Sequence, residues 1–409
     1  MVETRFIQTD IGLIPEDWDV KMISDVANVF GGGTPSTRNS IFWNGKINWF
    51  TPTEVGDTKY LINSSRKITE LGLNNSSARI LPVGTILMTT RAGIGDLGIL
   101  KIPSATNQGF QSLIPLSNIN GEYLYYLALT LKPVLLQNAS GSTFLEISPS
   151  KVKSIQLPLP SLIEQQAIAD VLSDTDLWIE SLEKLIAKKQ LIREGAMQQL
   201  LTAQKKWKIK SLEELTKIFT KQTGFDYSAY IKPSLVQTKT DNDIPFIQNK
   251  DFNNKWINLN TDYYIPKNIA KNFPRILLDE KSLLISISGA IGNIGVYEEK
   301  DIAFIGGAIA ILKFKNPKVV DWVMYYLKSS EGQSKLFGNV KAGSHQNLIL
   351  DDLRKIEVPI PSIEEQTQIV AILSDIDVEI EALEQKLGKV KQIKQGLMQE
   401  LLTGRIRLI

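Results

Sequence analysis

The feature that most constrains this chain is a segment of about 45 residues that occurs twice. Leu157-Pro-Leu-Pro-Ser-Leu-Ile-Glu-Gln-Gln166 returns as Val358-Pro-Ile-Pro-Ser-Ile-Glu-Glu-Gln-Thr367, and Leu172-Ser-Asp-Thr-Asp176 as Leu373-Ser-Asp-Ile-Asp377. Gly195-Ala-Met-Gln-Gln-Leu-Leu-Thr202 returns as Gly396-Leu-Met-Gln-Glu-Leu-Leu-Thr403, always 201 residues later and without a gap. About half of the aligned positions are identical. A match of that length marks an internal duplication.

Apolar residues in the second copy fall at Ile369, Leu373, Ile376, Ile380, Leu383, Leu387, Val390, Leu397 and Leu401, with Lys394 on the same seam. This alternation of four and three is a heptad pattern and predicts a helix that packs against another helix. The first copy keeps it at Ile168, Leu172, Ile179, Leu182, Ile186 and Leu200, with softer positions at Thr175, Lys189, Arg193 and Ala196. Ser161 and Ser362 each stand three residues before Glu164 and Glu365, which predicts a capping box at both starts. A helix of about 40 residues is roughly 60 Å long, too long to be one wall of a compact domain. The sequence leaves two pairings open: a coiled coil between separate chains, or the two copies folding antiparallel on one another. The second fits a single chain that carries both, and would make the helices a ruler between two heads.

The remaining residues form two heads of about 150 residues that match only faintly. Trp18-Asp-Val-Lys21 aligns with Trp207-Lys-Ile-Lys210, Phe30 and Thr34 with Phe219 and Thr223, Tyr125-Tyr126-Leu127 with Tyr325-Tyr326-Leu327, and Gly141-Ser142 with Gly343-Ser344. Short apolar runs at 80–90 and 282–288 read as strands, and 123–131 and 319–329 as short helices. The expected architecture is mixed α/β: a head at 1–156, a helical region at 157–204, a second head at 205–357 and a second helical region at 358–409.

Several chemistries are excluded or weakened. The chain has no cysteine and one histidine, His345, so disulfides, thiolate sites and multi-histidine metal sites are ruled out. Gly93-Ile-Gly-Asp-Leu-Gly98 has dinucleotide-loop spacing, but the residues after it read as strand, so a tight strand–turn–strand is expected. Gly338-Asn-Val-Lys-Ala-Gly343 has phosphate-loop spacing but continues Ser344-His345. No Asn-Pro-Pro-aromatic or Asp-Pro-Pro-aromatic tetrapeptide is present, and His345 aligns with Thr143 in the first copy, which argues against a catalytic base. No long apolar run or leader-like start is seen, so a cytoplasmic protein without a membrane contact is expected. Net charge is +2 overall, with 23 basic against 17 acidic residues in 205–357 and 4 against 7 in 157–204. Charge alone does not mark a nucleic-acid binder.

Polar loops remain. Their Gly, Ser, Thr, Asn, Gln, Lys and Arg side chains suit phosphate and base-edge contacts. The candidates are Thr34, Ser36, Arg38, Asn39, Lys46, Asn48 and Arg91 in the first head. In the second they are Lys221, Gln222, Gln248, Asn249, Lys250, Ser344, His345 and Gln346. Leu200, Leu201, Leu401 and Leu402, apolar residues near the helix ends, are candidates for binding a partner.

The doubled Pro-x-Pro-Ser-x-x-Glu-Gln segments, their Gly-x-Met-Gln-x-Leu-Leu-Thr ends, Ile14-Pro-Glu-Asp-Trp18, Gly32-Gly-Thr-Pro35 and the Gly-Ser pairs resemble specificity subunits of type I restriction–modification systems. The resemblance spans the chain. It implies two DNA target-recognition domains joined by an antiparallel coiled coil and reading a bipartite, asymmetric double-stranded site. It also implies two methyltransferase subunits on the helices, two restriction subunits joining them, and no catalysis by this chain. S-adenosylmethionine, ATP and Mg would then belong to the partners. The second head departs from the pattern: Lys221-Gln-Thr-Gly224 replaces the first loop, and Gly306-Gly307 stands near the position of Gln108-Gly109, so the two half-sites should differ. The competing reading is a coiled-coil scaffold that does not bind DNA.

Overall fold

A computed structural model describes residues 5–141, 145–298, 301–338 and 347–408. The chain divides into two compact units, Met1–Glu183 with Gln385–Ile409, and Lys184–Glu384. The division cuts through both repeated segments, each of which is one unbroken helix, Leu162–Leu201 and Ile363–Leu401.

Within the first unit, Asp176 pairs with Lys394 and Glu183 with Lys391. Within the second, Arg193 pairs with Asp377 and Lys189 with Glu379. Numbers rise on one helix as they fall on the other, so the helices pack antiparallel in each unit. The soft seam positions Lys189, Arg193 and Lys394 are therefore salt-bridging positions. Their aliphatic stems cover the seam while the charges meet acids of the facing helix. The predicted capping boxes are half made. Ser161 Oγ accepts from Glu164 N at 3.3 Å and Ser362 Oγ from Glu365 N at 3.2 Å. The glutamate side chains turn away, Glu164 to Trp18 and Arg407, and Glu365 to Lys206.

The first head contains a five-stranded sheet in the order Ala27–Gly31, Phe110–Pro115, Ile86–Thr89, Leu97–Leu100, Tyr60–Leu61, and a three-stranded sheet of Ser104–Thr106, Trp43–Phe50 and Arg66–Ile68. The second repeats the larger sheet as Thr216–Lys221, Ile309–Phe314, Ser282–Ser286, Ile294–Tyr297, Trp256–Ile257, and extends it with Phe252–Asn253. Its other sheet has four strands, Tyr264–Pro266, Asp243–Ile247, Ala303–Ile305 and Leu277–Leu278. The glycine-rich run of the first head is a strand–turn–strand: Ile86–Thr89 pairs antiparallel with Leu97–Leu100, and Thr89 Oγ1 donates to Gly93 O at 2.5 Å. Ser286 makes the same bond to Ala290 O at 2.6 Å.

The helices expected near 123–131 and 319–329 are Gly121–Thr130 and Val320–Lys328. Their alignment shifts by one residue. Tyr123 and Trp322 both donate to a proline carbonyl, Pro158 O and Pro359 O, while Tyr126 and Tyr325 both donate to an aspartate of a long helix, Asp176 and Asp377. Tyr126, not Tyr125, therefore corresponds to Tyr325.

Each head core is closed by the end of a long helix from the other copy. Leu401 and Leu402 lie in the first core, with Leu397, Met398 and Leu408 against it. Met197 and Leu201 lie in the second core, with Leu200 against it. Leu201, Leu401 and Leu402 are at most 2% exposed. This corrects the expectation for Leu201, Leu401 and Leu402, whose side chains are used inside the chain and offer no face to a partner, while Leu200 is only partly covered.

Candidate nucleic-acid interface

In the first head, strand Ala27–Gly31 leads into the Gly-Gly-Thr-Pro loop. A Cβ at Gly32 would sit 2.1 Å from the Asn107 carbonyl oxygen, so only glycine lets the loop lie this close to the neighbouring backbone. Two indoles hold the loop. Trp49 Nε1 donates to Gly33 O at 2.8 Å and Trp43 Nε1 to Ser36 O at 3.1 Å. The rings meet edge to face with centroids 5.0 Å apart. The Arg66 guanidinium lies 3.7 Å from the Trp43 ring centroid. Carbonyls thus face inward on a rigid platform, while Thr34, Ser36 and Arg38 are exposed.

The other first-head candidates divide. Thr34 Oγ1 donates to Gln108 Oε1 at 2.6 Å, and Asn39 Oδ1 caps the next turn by accepting from Ile41 N at 3.3 Å. Lys46 is exposed. Arg91 is half-exposed and paired with Glu146 at 2.9 Å. Asn48 is 5% exposed, and its amide donates to Ile62 O at 3.0 Å. Burial takes Asn48 out of the set that DNA could touch.

In the second head, Gln248, Asn249 and Lys250 converge on a pocket of about 520 Å³ that Tyr227, Phe246, Gly306 and Gly307 also line. Asn249 Nδ2 donates to Ser288 O at 2.6 Å, and Lys250 pairs with Asp262. Asp251 accepts from Gln248 N at 2.7 Å, and burial raises its carboxyl above the usual range. Lys221 is exposed. Gln222 is buried, and neither of its amide atoms has a hydrogen-bond partner among the described residues. A Cβ at Gly307 would lie 3.3 Å from Gln222 Oε1, so Gln222 sits behind the pocket wall rather than on it. Ser344, His345 and Gln346 lie outside the described residues.

Both heads are fixed to the helices by the same lock, which sequence reading missed. In the first unit, Lys59 Nζ lies 2.7 Å from Tyr126 Oη, 3.2 Å from Ser173 Oγ and 2.6 Å from Glu122, and Tyr126 donates to Asp176 at 2.6 Å. In the second, Lys255 Nζ lies 2.8 Å from Ser374 Oγ and 3.4 Å from Tyr325 Oη, and Tyr325 donates to Asp377 at 2.7 Å. Burial, then the aspartate, pushes both tyrosine hydroxyls well above their ordinary range, so they remain donors. The available signal was the repetition of Ser173/Asp176 as Ser374/Asp377.

Among the described residues, no group of three or more His, Cys, Asp or Glu could hold a metal ion. Among them, no helix is long and apolar enough to cross a membrane.

The family model described as type I restriction modification DNA specificity domain matches residues 15–191 and again 204–392. The type I restriction enzyme MjaIX specificity subunit of Methanocaldococcus jannaschii is 47% identical over 186 residues, 44% of this chain and 43% of that protein. The MjaVIII specificity subunit of the same organism is 26% identical over 97% of this chain and 94% of its own. The chain thus spans under half of the first relative and nearly all of the second. The S subunit structure from M. genitalium superposes with a TM-score of 0.59 at 17% identity, covering 94% of this chain and 96% of that one. A chain from a structure on complex assembly and conformational transition of the type I R-M system gives 0.60 at 18%, covering 96% and 99%. At these identities the likeness is one of fold.

Proposed function

The chain belongs to the type I restriction modification DNA specificity family, and from that premise we propose that it reads the two halves of a bipartite DNA site and lends that choice to methyltransferase and restriction subunits without catalysing either reaction. One observation carries the reading: the two heads share the strand order of their larger sheet but carry unlike loops, and in each unit the repeated helices run antiparallel. Phosphate contacts would position each head, and base edges would specify. Thr34, Ser36, Arg38, Lys46 and the salt-bridged Arg91 are the exposed candidates in the first head. Lys221, with Gln248, Asn249 and Lys250 at the pocket, serve in the second. The test is a map of modified bases in cells that make this chain with its methyltransferase. Two unlike half-sites around a fixed spacer are expected, and a single contiguous motif would sink the reading.

The ruler role makes a sharper prediction. Inserting one heptad into each long helix adds about 10.5 Å of helix. At 3.4 Å per base pair along each strand, the spacer should grow by about three base pairs with both half-sites unchanged. The base map of the insertion variant checks this, and an unaltered spacer contradicts it.

Partner docking is supported by apolar residues that each unit leaves uncovered on the first long helix. These are Leu177 and Trp178 in the first unit, 61% and 44% exposed, and Leu191 and Ile192 in the second, 69% and 45% exposed. They lie outside the seam. Replacing either pair with glutamate is expected to reduce methyltransferase co-purification at least tenfold with little change in melting temperature. A complex that survives both double substitutions would place docking elsewhere.

A further inference from the structure

The lock in the second unit holds more positive charge than its twin. In the first unit, Lys59 and Lys394 are matched by Glu122 and Asp176. In the second, the residue corresponding to Glu122 is Asp321, which pairs with Lys281 at 2.7 Å and so leaves the site. The residue corresponding to Leu129 is Lys328. Lys255, Arg193 and Lys328 therefore gather around one inner carboxylate, Asp377. Arg193 takes that carboxylate, while Lys255 bonds to hydroxyls. Lys328 Nζ donates to the Asn254 carbonyl at 2.6 Å and makes no ion pair among the described residues.

These three cations do not sit in a packed core. They line a pocket of about 520 Å³ with Asn254, Asn293 and Gln333. Lys255 is only 7% exposed. Glu381 and Glu384, both exposed, also line this pocket from the second long helix, and neither makes an ion pair with the three cations among the described residues. A partly buried cation that shares one carboxylate with two others and makes no ion pair of its own is costly, and a bound anion lowers that cost. Burial first, then Arg193 and Lys255, brings the Lys328 amine down to about 8, while Asp377 acts in the opposite direction.

We infer that this pocket is an anion site that takes a phosphate-class oxyanion on Lys328, Lys255 and Arg193, and that the first unit has no equivalent. The tetrahedral oxygens would accept from the two ammonium groups and the guanidinium, and the asparagine and glutamine amides can complete the shell. The two acidic residues in the lining disfavour a highly charged polyphosphate. A single phosphate group fits, either a free oxyanion or one phosphodiester of a nucleic-acid backbone.

The full-length chain is labelled with an amine-acylating reagent at pH 7.5, and each lysine is read by mass spectrometry. Sulfate, inorganic phosphate and duplex DNA are added separately, against chloride at equal ionic strength. Labelling of Lys328 should fall about tenfold at ten times the half-protecting concentration, with no change at the exposed Lys355. Protection by sulfate or phosphate identifies a free oxyanion, and protection by DNA alone identifies a backbone phosphate. Sulfate does not titrate in this range, so its affinity should weaken between pH 7 and 9 as Lys328 loses its proton. The Lys328→Met variant should lose the sulfate-dependent rise in melting temperature, and Lys355→Met should keep it. If none of the three additives protects Lys328 in the unmodified chain, the site is refuted, whether or not the variant folds.

Discussion

Replacing Arg407 with methionine is expected to lower the stability of the first unit by about 3 kcal/mol, the scale for removing one partner of a buried ion pair. Arg407 Nε and one terminal nitrogen donate to Glu164 at 2.6 and 2.9 Å, and its two terminal nitrogens donate to Asp17 at 2.8 and 2.6 Å. Glu164 is 1% exposed and accepts one other bond, from Trp18 Nε1 at 3.0 Å. Without Arg407 a charge remains buried in the head. For a unit of this size the loss corresponds to a fall on the order of 6–12 °C in melting temperature. Adding Glu164→Gln should recover part of it, because no orphan charge then remains. Calorimetry resolves the outcome, and a fall below about 2 °C would show that the network contributes little. The pH dependence has a definite sign. The Arg407 hydrogen bond holds the Asp17 carboxyl below its usual range. That contribution is complete above the ordinary aspartate pKa of about 4 and is lost as pH falls through the lowered one, so variant and parent should converge in acid.

Leu401→Ala and Leu201→Ala should each cost about 2–5 kcal/mol through cavities in the first and second cores respectively. Both leucines are nearly inaccessible, and each closes one core. Partner co-purification should then fail only where the fold fails. A variant that melts normally yet loses its partner would restore these leucines to an interface.

The long helices were legible because heptad spacing and duplication are properties of sequence order alone. Their direction was legible as the better of two pairings. The ion pairs that fix it were not, since Asp176 and Lys394 stand 218 residues apart and meet only once an antiparallel register is chosen. The heads were legible as strands and a helix. The one-residue offset between Tyr125 and Tyr126 was hidden because Tyr-Tyr-Leu occurs in both halves and sequence matching prefers identity to geometry. Loop candidates were the least legible. Asn48 and Lys46 lie on the same strand, and only burial separates a residue that bonds Ile62 O from one that reaches solvent. Leu200, Leu201, Leu401 and Leu402 read as apolar ends in search of cover, and sequence could not say that the cover is a head of the same chain.

That exchange of helix ends sets a timetable. Head residues near position 160 leave the ribosome long before Leu401, Leu402 and Arg407, which complete their core and neutralise Glu164. At about 5–20 residues per second the wait is roughly 12–50 s. During that interval the newborn first head is an unfinished globule, open to chaperones and proteases, and it matures only after Leu401, Leu402 and Arg407 have been made.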